Sequence, residues 1–372
     1  MLYFHIPFCK QRCSYCNFHF STSLALKDDL LEALHCEIDI REKELLDTTV
    51  KTIYFGGGTP SLLKVDEIRA LIDHCEKKYN LTSDVEITLE ANPDDLNSKF
   101  LKDLSRTEIN RLSIGTQSFF EKDLQLMNRA HTASEAEDSI KRAQDLGFEN
   151  ITIDLIYGSS EMEIWKQNLR KAVELLVPHI SSYALTVEPK TALLKWSEEG
   201  KISAPDEALQ NDEFHYMSQF LRDKGFVHYE ISNFGKEGFF SKHNSSYWQG
   251  KPYLGYGPSA HSYDGERKRS WNVANNSLYI KGLMENKRNF EEEILSEKEQ
   301  LNERIMIGLR TIWGADYSQI QKEFSSEILE EFKPMMQQKI NEGSLLLENG
   351  FLKIPEKHWF MADGIASDLF LI

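Results

Sequence analysis

The chain has 372 residues, 43 of them basic and 59 acidic, giving a net charge of −16. Such an acidic surface repels phosphate, which argues against nucleic acid and anionic membrane as partners. Hydrophobic residues make up 41%, enough for a real core, while no apolar run reaches the length of a membrane span.

The length fits one large α/β unit and a smaller domain. Five cysteines, three of them clustered, make no disulfide framework. The clustered three lie too near the first residue for a secretory signal to precede them. These features predict a protein of a reducing compartment, the cytoplasm, with no integral membrane segment.

Residues 2–6 read as a strand, and Cys9, Cys13 and Cys16 follow it in C-x3-C-x2-C spacing. Thiolates bind iron–sulfur clusters and zinc. Three ligands where four are usual imply either a distant fourth ligand or an open position. For zinc, His5, His19 and Cys36 are the nearest donors in sequence.

Helical spacing of apolar residues marks 25–46. A strand at 50–55 runs into Gly56-Gly57-Gly58-Thr59-Pro60, and a helix at 65–79 leads to a strand at 85–89 ending on Glu90-Ala91-Asn92-Pro93. Further units follow: a helix at 97–105 with a strand at 111–115, and a helix at 134–146 with a strand at 151–156 that carries Asp154. The last are a helix at 161–176 with a strand at 180–185, and a helix at 207–224 with a strand at 227–231. Alternation over six or more units predicts parallel strands joined by crossover helices. The expected fold class is α/β: a partial (β/α)6 barrel of TIM type over residues 1–232. The cysteines, the glycine triplet, Glu90, Gln117 and Asp154 all fall at or just past strand carboxyl ends, the face that holds the active site in such barrels. Asp154, in an otherwise apolar strand, needs a partner if buried.

Residues 233–295 read as an aromatic-rich, loop-like connecting segment. Residues 296–372 read as a helical, winged-helix-like domain, with Asn349-Gly350 as the hairpin turn. That domain holds 8 basic and 13 acidic residues, which suits a lid or docking element better than a DNA reader.

Tyr3-x-His5-Ile6-Pro7-Phe8-Cys9-x3-Cys13-x2-Cys16, together with Gly56-Gly57-Gly58-Thr59-Pro60, resembles the radical S-adenosylmethionine (SAM) superfamily. More narrowly it resembles the branch that holds oxygen-independent coproporphyrinogen oxidase and the HemW-type haem chaperones. The resemblance implies a [4Fe–4S] cluster on Cys9, Cys13 and Cys16, with its fourth iron open to SAM, and an external electron donor. It further implies SAM contacts from Tyr3, Gly57, Gly58, Thr59, Glu90, Gln117, Arg129, Asp154, Ala184 and His261.

Two departures separate the chain from the oxidases. Phe18 stands where they carry a fourth cysteine, and only two residues precede Tyr3 where they have a long segment. In contrast, His243-Asn244-Ser245-Ser246-Tyr247-Trp248 matches the HNxxYW motif of the HemW type. The resemblance therefore implies a haem chaperone that passes haem to an acceptor protein; the alternative is a coproporphyrinogen III decarboxylase. His243 is the expected axial ligand, with Tyr247 and Trp248 offering flat apolar surface to the macrocycle. A packing role for this aromatic loop remains open.

Overall fold

The computed structural model describes residues 1–45 and 47–372. Its first half alternates strand and helix: β1 (Leu2–Ile6), α1 (Lys27–Arg41), β2 (Thr49–Gly57), α2 (Val65–Lys78), β3 (Asn80–Ala91) and α3 (Ser98–Leu104). Then come β4 (Arg111–Gln117), α4 (Glu121–Leu126), α5 (Ala133–Asp145), β5 (Ile151–Tyr157), α6 (Met162–Glu174) and β6 (His179–Ala184). Strands β1 to β6 pair in sequence order and all in parallel. This is the expected partial (β/α)6 barrel.

Period-two alternation explains why the strands sit as they do. In β5, Ile151, Ile153 and Leu155 are fully buried in the main core, while Asp154 between them projects toward Ser113 of β4. Capping boxes set helix starts where the sequence has Thr132 with Glu135 and Ser296 with Glu299.

After β6 come α7 (Ala192–Glu198), α8 (Glu207–Asp223), β7 (Val227–Glu230) and β8 (Asn233–Gly235); β8 runs antiparallel to both β6 and β7. Then α9 (Lys242–Trp248) leads to β9 (Leu254–Tyr256), which pairs in parallel with the outer edge of β1. The full sheet has nine strands in the order β7-β8-β6-β5-β4-β3-β2-β1-β9. The stretch expected to be loop-like thus supplies two strands of the barrel sheet, and the division at 232 runs through that sheet. Three-residue strands are too short to leave a periodicity, so they escape detection in the sequence.

A second antiparallel sheet consists of β10 (His261–Tyr263), β11 (Lys268–Asn272) and β12 (Phe290–Ile294), with α10 (Asn276–Met284) between the last two. The C-terminal unit runs α11 (Glu297–Leu309), β13 (Ala315–Asp316), α12 (Tyr317–Glu323), α13 (Ser326–Asn341), β14 (Leu346–Glu348), β15 (Phe351–Lys353) and α14 (Ala362–Ser367). Its three strands form one antiparallel sheet in the order β13-β15-β14, a winged-helix arrangement. Asn349 and Gly350 both have positive φ, 52° and 86°, as the hairpin turn requires.

The first helix ends at Arg41 rather than continuing to 46; Leu46 itself lies outside the described residues. The composition stays helix-friendly past Arg41, but the chain must turn there to enter β2.

Candidate functional site

β1 delivers the chain to the carboxyl-terminal rim of the barrel, where Cys9, Cys13 and Cys16 are half-buried. Backbone bonds pin their loop on one side to the glycine turn. Thr59 N–H donates to Phe8 O at 2.6 Å, and Gly58 N–H donates to Ile6 O at 2.9 Å. On the other side Ser14 donates from its backbone N–H to Met127 O at 3.0 Å, and its own carbonyl accepts from Leu193 N–H at 2.8 Å. The loop is therefore stretched across the barrel mouth.

Burial lifts the Cys9 thiol to about 11 against a hydrogen bond with Thr59, and the nearby Cys13 and Cys16 sulfurs add to the rise. Burial raises Cys16 as well. Among the described residues no three cysteine, histidine, aspartate or glutamate side chains converge on one metal-ion position. A single zinc needs four donors at about 2.0–2.3 Å. A four-iron cube instead takes one thiolate at each of several corners. The donor set fits a [4Fe–4S] cluster with one iron left over.

Arg129, which from its sequence position ahead of a helix could pass for a surface arginine, reaches into this site. Its guanidinium donates to Cys13 Sγ at 3.2 Å, to Asn92 Oδ1 at 2.6 Å and to Gly115 O at 3.1 Å. Asn92 in turn donates to Thr59 Oγ1 at 3.2 Å, so one amide bridges the arginine and the glycine turn. Nothing in the sequence marks Asn92, although it sits two residues after Glu90, just past the end of β3. Gln117 closes β4 in a left-handed conformation, φ 57°, and its buried Oε1 has no hydrogen-bond partner. A buried orphaned acceptor at the end of the strand leaves room for a donor from a ligand.

The glycine triplet serves packing directly. A Cβ on Gly58 would meet Phe8 O at 2.6 Å and Phe8 N at 2.8 Å; one on Gly57, whose φ is 107°, would strike the His5 ring at 2.5 Å. One on Gly56 would meet Glu90 Oε1 at 3.0 Å. The missing side chains thus make space for the cysteine loop, His5 and Glu90, not only for a ligand.

Glu90 accepts from Tyr54 OH at 2.8 Å and from Gly57 N–H at 3.2 Å, yet burial lifts its carboxyl to about 7. Asp154 accepts from Ser113 Oγ at 3.4 Å and bonds to Ser181; burial lifts it to about 6. Ala184, at the end of β6 beside Tyr157, is half-buried. Tyr3, Gly57, Glu90, Tyr247 and His261 share one cavity of about 430 Å³ at the barrel mouth, with Phe18 and His19 on its lip. Phe18 is 68% exposed.

His243 is only 1% exposed, and both its ring nitrogens are engaged: Nδ1 with Thr52 Oγ1 at 2.8 Å and Nε2 with Tyr247 OH at 3.0 Å. Burial lowers it to about 3, so the ring is neutral. Its backbone N–H donates to Glu86 Oε1 at 3.0 Å, which fixes the start of α9 against β3. An iron ligand needs a free lone pair, and this imidazole has none in the structure. Tyr247 and Trp248 line a second cavity of about 470 Å³, between α9 and the C-terminal helices; Arg310 lies over the Trp248 ring at 5.1 Å.

The radical SAM superfamily pattern matches residues 3–166, and the HemN C-terminal domain pattern matches residues 295–361. The chain is 34% identical over 368 residues to the haem chaperone HemW of Lactococcus lactis, covering 98% of this chain and 95% of that protein. It belongs to the HemW family of radical SAM proteins. The HemW of Escherichia coli is 38% identical over 267 residues, covering 70% of this chain and 69% of that one. The solved structure of E. coli coproporphyrinogen III oxidase HemN superposes with a TM-score of 0.85 at 22% identity, over 99% of this chain and 89% of that one. That likeness shows a shared fold. Membership of the radical SAM superfamily carries with it a [4Fe–4S] cluster and SAM. Among the described residues no helix is long and apolar enough to cross a membrane.

Proposed function

We propose that this protein binds haem and passes it to acceptor proteins in the cytoplasm, on a barrel that holds a [4Fe–4S] cluster and SAM. The observation that carries this reading is near-full-length similarity to a protein named as a haem chaperone. An aromatic-walled cavity of about 430 Å³ beside the cysteine loop supports it; ligand cavities run from about 300 to 1,000 Å³.

In this reading Cys9, Cys13 and Cys16 would hold the cluster, which would supply one electron, drawn from an external donor, to SAM. The chain's own residues bind and orient. Gly57, Gly58 and Thr59 present the turn to the methionyl end, and Arg129 clamps its carboxylate. Glu90, Gln117 and Asp154 accept from ribose hydroxyls and amino groups, and Tyr3 and Ala184 flank them. The C-terminal winged unit, acidic on balance, serves as a docking element for the acceptor.

The test is anaerobic cluster reconstitution, then separate incubations with haem and coproporphyrinogen III in the presence of SAM and a reductant. Stable haem uptake with transfer to an apo-acceptor is expected, with no decarboxylated product. Release of a vinyl product with consumption of SAM would establish the decarboxylase instead.

A further inference from the structure

Three histidines line the cavity at the barrel mouth: His5, His19 and His261. His5 is used up, with Nδ1 on Tyr3 OH at 3.2 Å and Nε2 on the His19 carbonyl at 3.0 Å. His19 donates from Nε2 to Asn276 Oδ1 at 2.7 Å, which leaves only its Nδ1 lone pair, crowded beside its own Cβ for an axial bond to a macrocycle. His261 makes no side-chain hydrogen bond among the described residues, so its outer nitrogen, Nε2, is free. It is exposed to the cavity at the start of β10. Across the hairpin it pairs with Trp271, whose ring stacks on the imidazole at 5.7 Å and 27°. That contact limits the ring's rotation without occupying a nitrogen.

The surroundings suit a flat apolar ligand. Phe18 on the lip is exposed and offers a free aromatic face at the cavity mouth. Tyr247 and Tyr253 stand edge to face at 4.8 Å in the opposite wall.

The geometry points to His261 as the residue that binds haem iron, through Nε2, with the macrocycle lying between Phe18 and the tyrosine wall. This assignment rests on the haem-binding reading above, replaces His243 as the ligand and takes His261 out of the SAM contacts that the resemblance implies. His243 becomes a positioning residue that holds Tyr247 in the wall. Coordination forms one iron–nitrogen bond from the neutral imidazole lone pair; no electron or proton moves. The Gly57 and Glu90 end of the cavity is left for SAM. A cavity of this volume encloses only part of a tetrapyrrole beside it, and an edge left outside suits a cargo that must be handed on.

The experiment titrates ferric haem into the full-length protein, with absorption and electron paramagnetic resonance as readouts, in wild type, His261→Ala, His243→Ala, His19→Ala and the distant control His358→Ala. For His261→Ala the expected result is a loss of affinity of about tenfold or more, the scale seen even for residues behind a metal ligand. The nitrogen-ligand signature should disappear with it, and added free imidazole should restore it. SAM affinity, measured by calorimetry in the same variant, separates lost haem ligation from a disturbed cavity. Unchanged affinity and spectrum in His261→Ala overturn the assignment. So does loss of the signature in His243→Ala or His19→Ala while His261→Ala keeps it, or a loss confined to SAM binding. Wild-type protein that takes up no haem overturns the haem-binding reading and this assignment together; haem uptake indifferent to His261 overturns only the assignment.

Discussion

Glu90 accepts two hydrogen bonds, from Tyr54 and Gly57, and burial still lifts its carboxyl to about 7. The unfolded chain ionises near 4.5, so between that value and about 7 the folded state binds more protons and loses stability as pH rises. The isosteric amide in Glu90→Gln carries no such penalty. Its melting temperature relative to wild type should therefore be more favourable at about pH 8 than at about pH 5, read by thermal denaturation in matched buffers. An equal difference at both pH values would show that Glu90 is not perturbed. At this scale the sequence is a partial guide. Glu90 and Gln117 were legible as polar groups at strand ends, and Arg129 only through the family resemblance; the structure places Arg129 on Cys13 and Glu90 on the glycine turn. The direction of the His243 ring was not legible, because which nitrogens are free depends on Thr52 and Tyr247, residues 191 and 4 positions away.

Among the elements, α1 carries a buried cluster that binds the late segment to the barrel. Glu37 accepts from Arg41 at 3.0 Å, Asn272 at 2.7 Å, Tyr279 OH at 2.5 Å and the Gly257 N–H at 2.9 Å. Arg41 goes on to Gly255 O at 2.6 Å and Ser262 Oγ at 2.8 Å. Both side chains are fully buried. Removing one partner strands the other's charge, so Glu37→Ala should cost about 3–5 kcal/mol in denaturant unfolding. A loss below about 1 kcal/mol, the level of a surface pair, would contradict the account. The i,i+4 spacing of Glu37 and Arg41 is visible in the sequence, but reads there as an ordinary exposed helix pair. Burial comes from partners more than 200 residues away, which no local pattern encodes. The long parallel strands were legible for the opposite reason: β5 carries a largely apolar run within seven residues, six of them buried.

In the molecule as a whole, one hydrophobic core runs from Leu2 through the barrel to Leu371. The C-terminal unit joins it through Trp359, which meets His228 edge-on at 4.6 Å, and Glu356 bonds Ser218 at 2.8 Å and pairs with Arg222. With no separate core of its own, the winged unit should melt with the barrel. Calorimetry of the chain should give one transition, and Trp359→Ala, a loss of about 3–5 kcal/mol, should shift that whole transition. Two resolved peaks would show independent domains. The pairing of β9 with β1 has a consequence for synthesis. Leu2 meets Leu254 and Phe4 meets Tyr256, so the edge of the sheet beside the cysteine loop stays uncovered until the ribosome has made the intervening segment. At about 5–20 residues per second that interval lasts on the order of 10–50 s. For that time the three thiols of the nascent chain lie beside an unpaired sheet edge.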